Sequence, residues 1–355
     1  MAYTSVDDPS IYFNTVLYTG NSTAIGSGGH SITGVGFQPD FTWIKLRSGA
    51  ANHILVDAVR GVTKNLVTNL SAGESTVAES LTAFGADGFT LGNNATVNEN
   101  SDTYASWNWL AGNGTASNSN GSITSTVSAN SAAGFSLVSY TGTGSNATVG
   151  HGLGVAPKMY VVKRRDADDS WWTYNSALGS DDAYLSLHSN SVSSTSGGSG
   201  LWNSTAPTSS VFSIGTNGGV NASSGTYIAY CFADVQGYSK FGSYTGNGNA
   251  DGAFVYCGFE PAFVIIKGAV SGDGTAAQHW EMYDNKRNVF NPQDKALFPS
   301  LNSIESTESR INFLSNGFKA IINSDGVNDN NSTYIFMAFA EAPFVNSSGV
   351  PNNAR

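Results

Sequence analysis

Large apolar residues alternate with small or polar residues along much of the chain. Three stretches show the pattern clearly, at 37–45 (FQPDFTWIK), 155–163 (VAPKMYVVK) and 259–267 (FEPAFVIIK). A period of two residues predicts strands with one buried face. Each stretch has a proline near its start, where a strand tolerates the missing N–H. The pattern therefore predicts three equivalent strands in different parts of the chain.

A second pattern closes each of three repeats. A Val-Asn pair precedes a Thr-Tyr pair with four residues between them, and large apolar residues follow the tyrosine at the third and fifth positions. The closing residues are Val97-Asn98, Thr103-Tyr104, Trp107 and Trp109; Val220-Asn221, Thr226-Tyr227, Tyr230 and Phe232; and Val327-Asn328, Thr333-Tyr334, Met337 and Phe339. Each repeat also begins with Tyr-Thr-Gly, at 18–20, 140–142 and 244–246. This recurrence predicts three copies of one β-rich unit.

The repeats set the predicted domain boundaries. Unit 1 covers residues 1–112, unit 2 covers 134–236, and unit 3 covers 237–355 with a short C-terminal tail. Residues 113–133 carry few large side chains and are predicted to be a Gly/Ser/Asn/Thr linker. Units 2 and 3 meet without a linker in the stretch 225–246, which predicts a stiff junction. The sequence leaves open whether the units pack around an axis or in a row.

Composition favours the same fold class. Charged residues make up 12% of the 355 residues, and glycine occurs 41 times. Short apolar runs separated by Gly, Asn and Ser are typical of sheets and turns. We therefore predict an all-β protein of three homologous β-sandwich-like units in tandem, with few short helices.

The net charge and the lack of long apolar runs limit the classes of partner molecule, and the two cysteines allow at most one disulfide. The net charge of −10 argues against nucleic acid, which requires clustered Lys and Arg. No apolar run is long enough to cross a bilayer, and the first residues lack a secretory signal, so we expect synthesis in a cytoplasm without membrane insertion. Cys231 and Cys257 are predicted to be buried free thiols rather than a disulfide.

No pattern of catalytic or cofactor-binding residues emerges. The five histidines have no metal-ligand spacing, and the Walker A and Gly-x-Ser-x-Gly motifs are absent, so no cofactor is predicted. Asp57 with Arg60 recurs as Asp284 with Arg287, while unit 2 has Asn175 and Leu178 at these positions. This loss excludes a catalytic role repeated in every unit, and the spacing favours a local ion pair over an acid with its orienting base.

One region of unit 2 carries residues suited to a sugar. Aromatic rings beside carboxylates and amides can stack on a sugar ring and bond its hydroxyls. The speculative glycan-binding residues are Trp171, Trp172, Trp202, Asp166, Asp169 and Asn203. The alternative is that the tryptophans fill the core and close a loop. Clustered carboxylates could also bind Ca²⁺ or cleave a glycosidic bond, but they equally fit solvated loops, so the metal content stays open.

Several long phrases resemble a family of uncharacterised repeat proteins encoded by tailed marine bacteriophages. These phrases are MAYTSVDDPSIYFNTVLYTGN, GVGFQPDFTWIK, VDAVRGVTKNL, GSITSTVSANSAAGFSLVSYTGTGSNATVGHGLGVAPK, YCFADVQGYSKFGSYTGNGNADGAFVYCGF and YIFMAFAEAPF. The resemblance covers nearly the whole chain. It implies a tail-fibre-like or virion structural protein and no catalytic residues.

The expected function is accordingly a non-enzymatic external protein of a tailed phage, a tail-fibre or receptor-binding adhesin at the virion surface. The alternatives are a capsid decoration or head-fibre protein and, with less support, a glycan depolymerase. Expected partners are other virion proteins and a glycan or protein of the host surface. Phage appendages suggest a homo-oligomer, with a trimer favoured by analogy.

Overall fold

Strands make up most of the ordered structure, so the all-β prediction is confirmed. The structure is a computed structural model that describes residues 3–272 and 278–352. The helices are short: α1 (Ala95–Asn98), α2 (Gly198–Trp202), α3 (Gly218–Asn221), and the 3-10 turns Pro9–Ile11, Ile25–Ser27 and Ser176–Leu178. The thiols of Cys231 and Cys257 are free and buried.

Unit 1 contains two sheets. Its strands are β1 (Phe13–Thr19), β2 (His30–Thr33), β3 (Phe41–Leu46), β4 (Ile54–Asp57), β5 (Lys64–Val67), β6 (Ser75–Thr76), β7 (Leu81–Gly85), β8 (Gly88–Leu91) and β9 (Thr103–Trp109). One sheet has the order β1-β9-β3-β4-β5-β6 and the other β2-β8-β7. The closing strand β9 therefore lies between the opening strand β1 and the strand β3 that follows the proline.

The same order recurs in the sheets of unit 2. The strands from residue 113 onwards are β10 (Ala116–Asn118), β11 (Ser125–Asn130), β12 (Phe135–Thr141), β13 (Ala147–Gly150), β14 (Met159–Arg164), β15 (Trp171–Asn175), β16 (Leu185–Ser186), β17 (Val211–Ile214) and β18 (Thr226–Phe232). The large sheet has the order β10-β11-β12-β18-β14-β15-β16, and β13 pairs with β17.

Unit 3 repeats the order once more. Its strands are β19 (Ser239–Thr245), β20 (Phe254–Tyr256), β21 (Phe259–Val270), β22 (Glu281–Asp284), β23 (Gln293–Ala296), β24 (Ser306–Leu314), β25 (Gly317–Ala320) and β26 (Thr333–Pro343). The two sheets have the orders β19-β26-β21-β22 and β20-β25-β24-β23. In β21 the pairing register shifts on both sides of Pro261, so this proline lies at an irregular point of the strand.

The expected linker is part of a sheet. Strand β11 pairs with β12 from Thr126↔Ser139 to Asn130↔Phe135, and β10 pairs with β11. Ile123 and Val127 are buried. Small residues are sufficient for a strand at a sheet edge, where backbone pairing supplies the contact. Residues 116–130 thus extend the sheet of unit 2 instead of acting as a free spacer.

The repeated Tyr-Thr-Gly and Val-Asn motifs meet in space. The side chains of Asn98, Asn221 and Asn328 are buried, and each donates to the carbonyl six residues earlier at 2.7–3.2 Å. Each also accepts the backbone N–H that follows Tyr-Thr-Gly. The tyrosine of that motif donates to the valine carbonyl at 2.6–2.8 Å. We call these three clusters the asparagine corners.

The glycine of each motif is required by a close approach. A Cβ on Gly20, Gly142 or Gly246 would lie 2.0–2.4 Å from the carbonyl oxygen of the residue after the corner asparagine. The tyrosine of each Thr-Tyr pair accepts the N–H of that same residue at 2.7–2.8 Å. The motifs of the sequence are therefore explained by the backbone contacts of the corners.

Replacing Asn221 by Ala is expected to lower the free energy of unfolding by about 2–4 kcal/mol, because its buried side-chain amide bonds three backbone groups that lose this partner. These are the N–H of Thr143 and the carbonyls of Gly215 and Ser145. Urea unfolding followed by tryptophan fluorescence measures the change. Asn146 is exposed in the same unit and serves as the control. A loss no larger than that of Asn146→Ala would contradict this account of the corners.

The large sheets bury both faces. One face of each sheet packs against the second sheet of its own unit, giving three separate cores. The other faces meet in a common core that contains Trp107, Trp109, Tyr230, Phe232 and Phe339. The core leaves a closed apolar cavity of about 30 Å³. One core shared by all three units joins them into a single packed body.

The aromatic contacts of this common core run in a cycle. Phe41 of unit 1 lies 4.8 Å from Tyr230 of unit 2, between ring centroids. Phe232 of unit 2 lies 5.7 Å from Phe241 of unit 3. Phe13 of unit 1 stacks on Phe339 of unit 3 at 5.3 Å. Each unit therefore touches both others, so the units are arranged around a common centre and not in a row.

Candidate functional site

Three seams separate the units. We define the first seam as the contact of units 1 and 2, the second as that of units 2 and 3, and the third as that of units 3 and 1. Among the described residues, buried charged side chains lie at or near these seams, and buried charges can mark a site of chemistry.

At the first seam, the Asp57–Arg60 pair bonds across units. The carboxylate of Asp57 accepts the Nε–H of Arg60 at 2.5 Å, and both side chains are fully buried. The hydroxyl of Tyr230 in unit 2 donates to Asp57 at 2.9 Å. Arg165 of unit 2 pairs with Glu74 of unit 1 at 3.0 Å. The ion pair expected from the spacing is present, and it also fastens unit 2 to unit 1.

The third seam repeats this arrangement. Asp284 and Arg287 of unit 3 form a buried pair, and the indole N–H of Trp107 in unit 1 donates to Asp284 at 3.0 Å. Arg47 of unit 1 pairs with Glu305 of unit 3 at 2.9 Å. Each carboxylate is occupied by its arginine and by a donor of the neighbouring unit, so the geometry fits a structural role and not that of a free acid.

The second seam is built without the ion pair. Asn175 and Leu178 stand where the other seams have Asp and Arg, and Met337 stands where they have Tyr230 and Trp107. The contacts are to backbone carbonyls: the indole of Trp280 donates to Ser186 at 3.0 Å, and Ser193 donates to Ala269 at 2.8 Å. Both sides of the second seam therefore differ from the other seams: unit 2 lacks the charged pair, and unit 3 lacks the side chain that would donate a hydrogen bond to it.

Three equivalent lysines are buried near the seams. Lys45, Lys163 and Lys267 lie on β3, β14 and β21, and none has exposed surface. The Nζ of Lys163 donates to the carbonyls of Ser71 and Asp169, each at 2.8 Å. Burial lowers the pKa of Lys45 and of Lys163 to about 8, and that of Lys267 to about 7. These amines donate hydrogen bonds to backbone carbonyls inside the fold.

The tryptophans predicted to contact a glycan occupy different environments. Trp171 is fully buried, and its indole donates to the carbonyls of Val67 and Leu70 across the first seam, each at 3.0 Å. Trp202 is fully buried in the core of unit 2, 5.1 Å from the ring of Tyr160. Neither ring face is open to a sugar. Trp172 is half-buried and stands edge-on to Tyr184.

The predicted polar residues are engaged in their own loops. Asp169 accepts the indole N–H of Trp172 at 3.0 Å and the N–H of Ser170 at 2.7 Å. Asp166 pairs with Arg164 at 3.0 Å. Asn203 ends α2 with a φ of 53°. The structure therefore brings Trp172 and Asp169 together, but it places Trp171, Trp202 and Asn203 in contacts of their own.

A surface cavity elsewhere has the convergent groups of a binding site. It measures about 420 Å³ and lies between the N-terminal segment, the junction of units 2 and 3, and the end of β20. Its side chains include Tyr3, Asp234, Gln236, Lys240 and Tyr256. Two aromatic residues, an amide and an ion pair around one cavity suit a ligand rich in hydroxyl groups. We call it the tyrosine cavity.

Hydrogen bonds hold the walls of the tyrosine cavity. The hydroxyls of Tyr3 and Tyr256 lie 3.0 Å apart, and Tyr3 donates to the carbonyl of Gly258 at 3.1 Å. Asp234 accepts the N–H of Phe241 at 2.8 Å and faces the Nζ of Lys240 at 3.4 Å. Burial and the hydrogen bond with Tyr256 raise the pKa of Tyr3 to about 12. Tyr3 therefore stays a neutral donor at physiological pH.

The sequence did not indicate these residues as a site. They come from segments more than 200 positions apart, so only the closed arrangement of units brings Tyr3 to Tyr256. One signal was available: β20 has exposed aromatics at Phe254 and Tyr256, where β2 of unit 1 has Ser31 and Thr33. Unit 3 therefore differs from unit 1 at this strand by its two exposed aromatic side chains.

Residues 3–272 and 278–352 contain neither a metal-binding cluster nor a membrane-spanning helix. Within them, no three His, Cys, Asp or Glu side chains are grouped closely enough to hold a metal ion. No helix in these ranges has the length and apolarity needed to cross a membrane. The tyrosine cavity is the candidate site carried forward, because aromatic, amide and charged side chains converge on it.

The fold and the seams define an all-β protein whose three sheet pairs share one aromatic core. Residues 8–343 match the family described as Domain of unknown function (DUF7483), and the chain belongs to this family. No curated protein matches the sequence.

Proposed function

We propose that the chain is a non-enzymatic external structural protein of a tailed-phage particle, acting as a tail-fibre or receptor-binding adhesin. The observation that carries the structural part is the common core, in which aromatic side chains of all three units interlock. Buried ion pairs add cross-unit bonds at two seams. Such a body holds its loops in fixed positions, which is what recognition of a surface requires.

The tyrosine cavity is the proposed contact for a host-surface glycan. Its tyrosines can offer apolar surface and hydroxyls, while Gln236 and the Asp234–Lys240 pair can bond a sugar rim. Trp172 with Asp169 remains a second patch of the same chemistry on unit 2. This assignment replaces Trp171 and Trp202, whose rings are buried.

A capsid decoration protein is the alternative, and the cyclic arrangement of units favours it. One chain presents three similar edges around a common centre, which suits attachment to a platform with threefold symmetry. Because the three units of one chain already contact one another in a cycle, the chain does not need two further copies to complete such contacts. We therefore propose that the chain acts as a monomer; sedimentation showing a trimer would restore the oligomer suggested by analogy.

The location of the chain on the particle tests the proposal. Antibody against the chain, imaged on intact phage by electron microscopy, is expected to label the tail. Label on the capsid shell would replace the adhesin with the decoration protein. Absence of the chain from purified particles, measured by mass spectrometry, would overturn both. For adhesion, soluble chain is expected to reduce phage attachment to host cells, and Gln236→Ala is expected to weaken this competition.

The same proposal assigns no catalytic role to the carboxylates of unit 2. Asp166 is paired with Arg164, and Asp169 accepts two N–H donors, so each carboxylate holds its loop. Incubation with host polysaccharide is expected to release no reducing sugar. Release that disappears in Asp166→Asn or Asp169→Asn would assign a depolymerase instead.

A further inference from the structure

Residues 116–130 close one side of the sandwich of unit 2. Along β12, the backbone groups of Phe135, Leu137 and Ser139 point away from β18, and β11 pairs with all three. Along β13, Ile123 donates its N–H to the carbonyl of Thr148 at 3.0 Å. Ser125 donates its hydroxyl to the carbonyl of Gly150 at 2.7 Å. We call residues 116–130 the covering segment.

The corresponding side of unit 3 has no covering segment. The residues on either side of β20 bond towards β25: Ala253 accepts the N–H of Ala320 at 3.1 Å, and Cys257 donates its N–H to Asn316 at 2.9 Å. Because antiparallel pairs alternate, the backbone groups of Phe254 and Tyr256 point outward. They correspond to Thr148 and Gly150 of unit 2. Among the described residues, no other strand pairs with β20 on that side.

The neighbouring edge of β19 is partly protected. The N–H of Ser239 bonds the carbonyl of Val235, and that of Phe241 bonds the carboxylate of Asp234, each at 2.8 Å. Ser243 is the next outward position and corresponds to Ser139, which the covering segment pairs in unit 2. The line from Ser243 through Phe254 to Tyr256 is thus an open counterpart of the covered edge. We call it the open edge.

The side chains along the open edge are also unusual. Phe254 is 48% exposed and Tyr256 is 53% exposed. In unit 1 the same strand carries Ser31 and Thr33, which offer little apolar surface to another chain. Exposed aromatics on an unpaired edge favour pairing, because they add apolar contact to the free backbone groups.

We infer that the open edge of unit 3 accepts an extended segment of a partner protein, which adds as a strand beside β20. The covering segment shows the chemistry of such a partner: it is rich in hydroxyl residues, with Ile123 and Val127 as its buried β-branched apolar residues. The hydroxyl of Ser125 donates to the carbonyl of Gly150, and that of Ser122 accepts the N–H of Thr148. Binding at such an edge takes its affinity from backbone hydrogen bonds and its specificity from alternate side chains. This inference goes beyond the proposed function, since it holds wherever the chain is located.

A synthetic peptide of residues 121–130 is the probe. We expect it to bind the full chain and to slow amide hydrogen exchange at Phe254 and Tyr256, measured by NMR. The Tyr256→Pro variant removes one outward N–H together with the side chain that bonds Tyr3, and it is expected to weaken peptide binding about tenfold. Tyr256→Ala removes the side chain alone and is expected to weaken peptide binding less. Thr33→Pro is the matched control in unit 1 and is expected to leave peptide binding unchanged.

A second variant shows that the peptide can act as a strand. Replacing residues 121–128 by Gly and Ser at equal length uncovers unit 2, and the peptide is then expected to protect Thr148 and Gly150 as well. Protection there with none at Phe254 and Tyr256 would overturn the inference. Concentration-dependent self-association of the native chain that Tyr256→Pro abolishes would assign the open edge to a second copy and also overturn it.

Discussion

Replacing Asp57 by Ala is expected to lower the free energy of unfolding by about 3–5 kcal/mol, because it leaves the buried guanidinium of Arg60 without its partner. The hydroxyl of Tyr230 loses its acceptor in the same variant. Chemical unfolding in urea measures the loss. Asp166→Ala removes a carboxylate from a partly exposed pair and is the control, with an expected loss below about 1 kcal/mol.

The second seam supplies a stricter test of the same account. Changing Asp57→Asn, Arg60→Leu and Tyr230→Met together copies the residues of that seam into the first. The triple variant leaves no unpaired buried charge, so its loss of stability is expected to be smaller than that of Asp57→Ala alone. A triple variant as unstable as the single one would show that the charge is not the cause.

The free energy of unfolding is expected to reach its maximum on the alkaline side of neutrality. Burial lowers the pKa of Lys45 and Lys163 to about 8 and that of Lys267 to about 7. Lysines of the unfolded chain titrate near 10.4, so between about pH 7 and pH 10 the unfolded chain binds more protons than the folded one. These lysines therefore make stability rise with pH through this window.

Other buried groups set both ends of this window. Burial raises the pKa of the thiols of Cys231 and Cys257, and it raises the pKa of Tyr140 and Tyr160 well above the usual value. The unfolded chain releases its thiol protons from about pH 8.5 and its tyrosine protons from about pH 10. The thiols therefore offset part of the rise due to the lysines, and stability falls above about pH 10. At the acid end, burial lowers the pKa of His53, and stability falls as the pH drops below about 6.5.

Urea unfolding from pH 6 to 11 measures this profile. The Lys267→Gln variant is expected to show a smaller rise between pH 7 and pH 10 than the native chain, because it removes the lysine with the most lowered pKa. A maximum below pH 7, or a Lys267→Gln profile parallel to that of the native chain, would contradict the assignment to the buried lysines.

The sequence predicted the strands well where apolar residues alternate. The stretches around Pro39, Pro157 and Pro261 form β3, β14 and β21, and the Thr-Tyr segments form the closing strands. These predictions succeed because a period of two is a local property of the chain. The strand β11 escaped prediction because its residues are small, and only the neighbouring edge of β12 makes it a strand.

The seams and the candidate site depend on contacts that no local pattern carries. The spacing of Asp57 and Arg60 predicts their ion pair, but the donor from Tyr230 lies 173 residues away. Likewise, Trp171 and Trp172 are adjacent in sequence, yet one crosses a seam and the other faces a loop. Once the units close into a cycle, positions that look alike in sequence acquire different neighbours.

The matched residues at the seams fix the order of the units along the chain. The carboxylate of Asp57 in unit 1 accepts a hydrogen bond from Tyr230 of unit 2, and that of Asp284 in unit 3 accepts one from Trp107 of unit 1. At the second seam, unit 2 has Asn175 and unit 3 has Met337. If units 2 and 3 exchanged places, the carboxylate of Asp57 would face Met337, which has no proton to donate. The matched residues therefore allow only one cyclic order of units 1, 2 and 3.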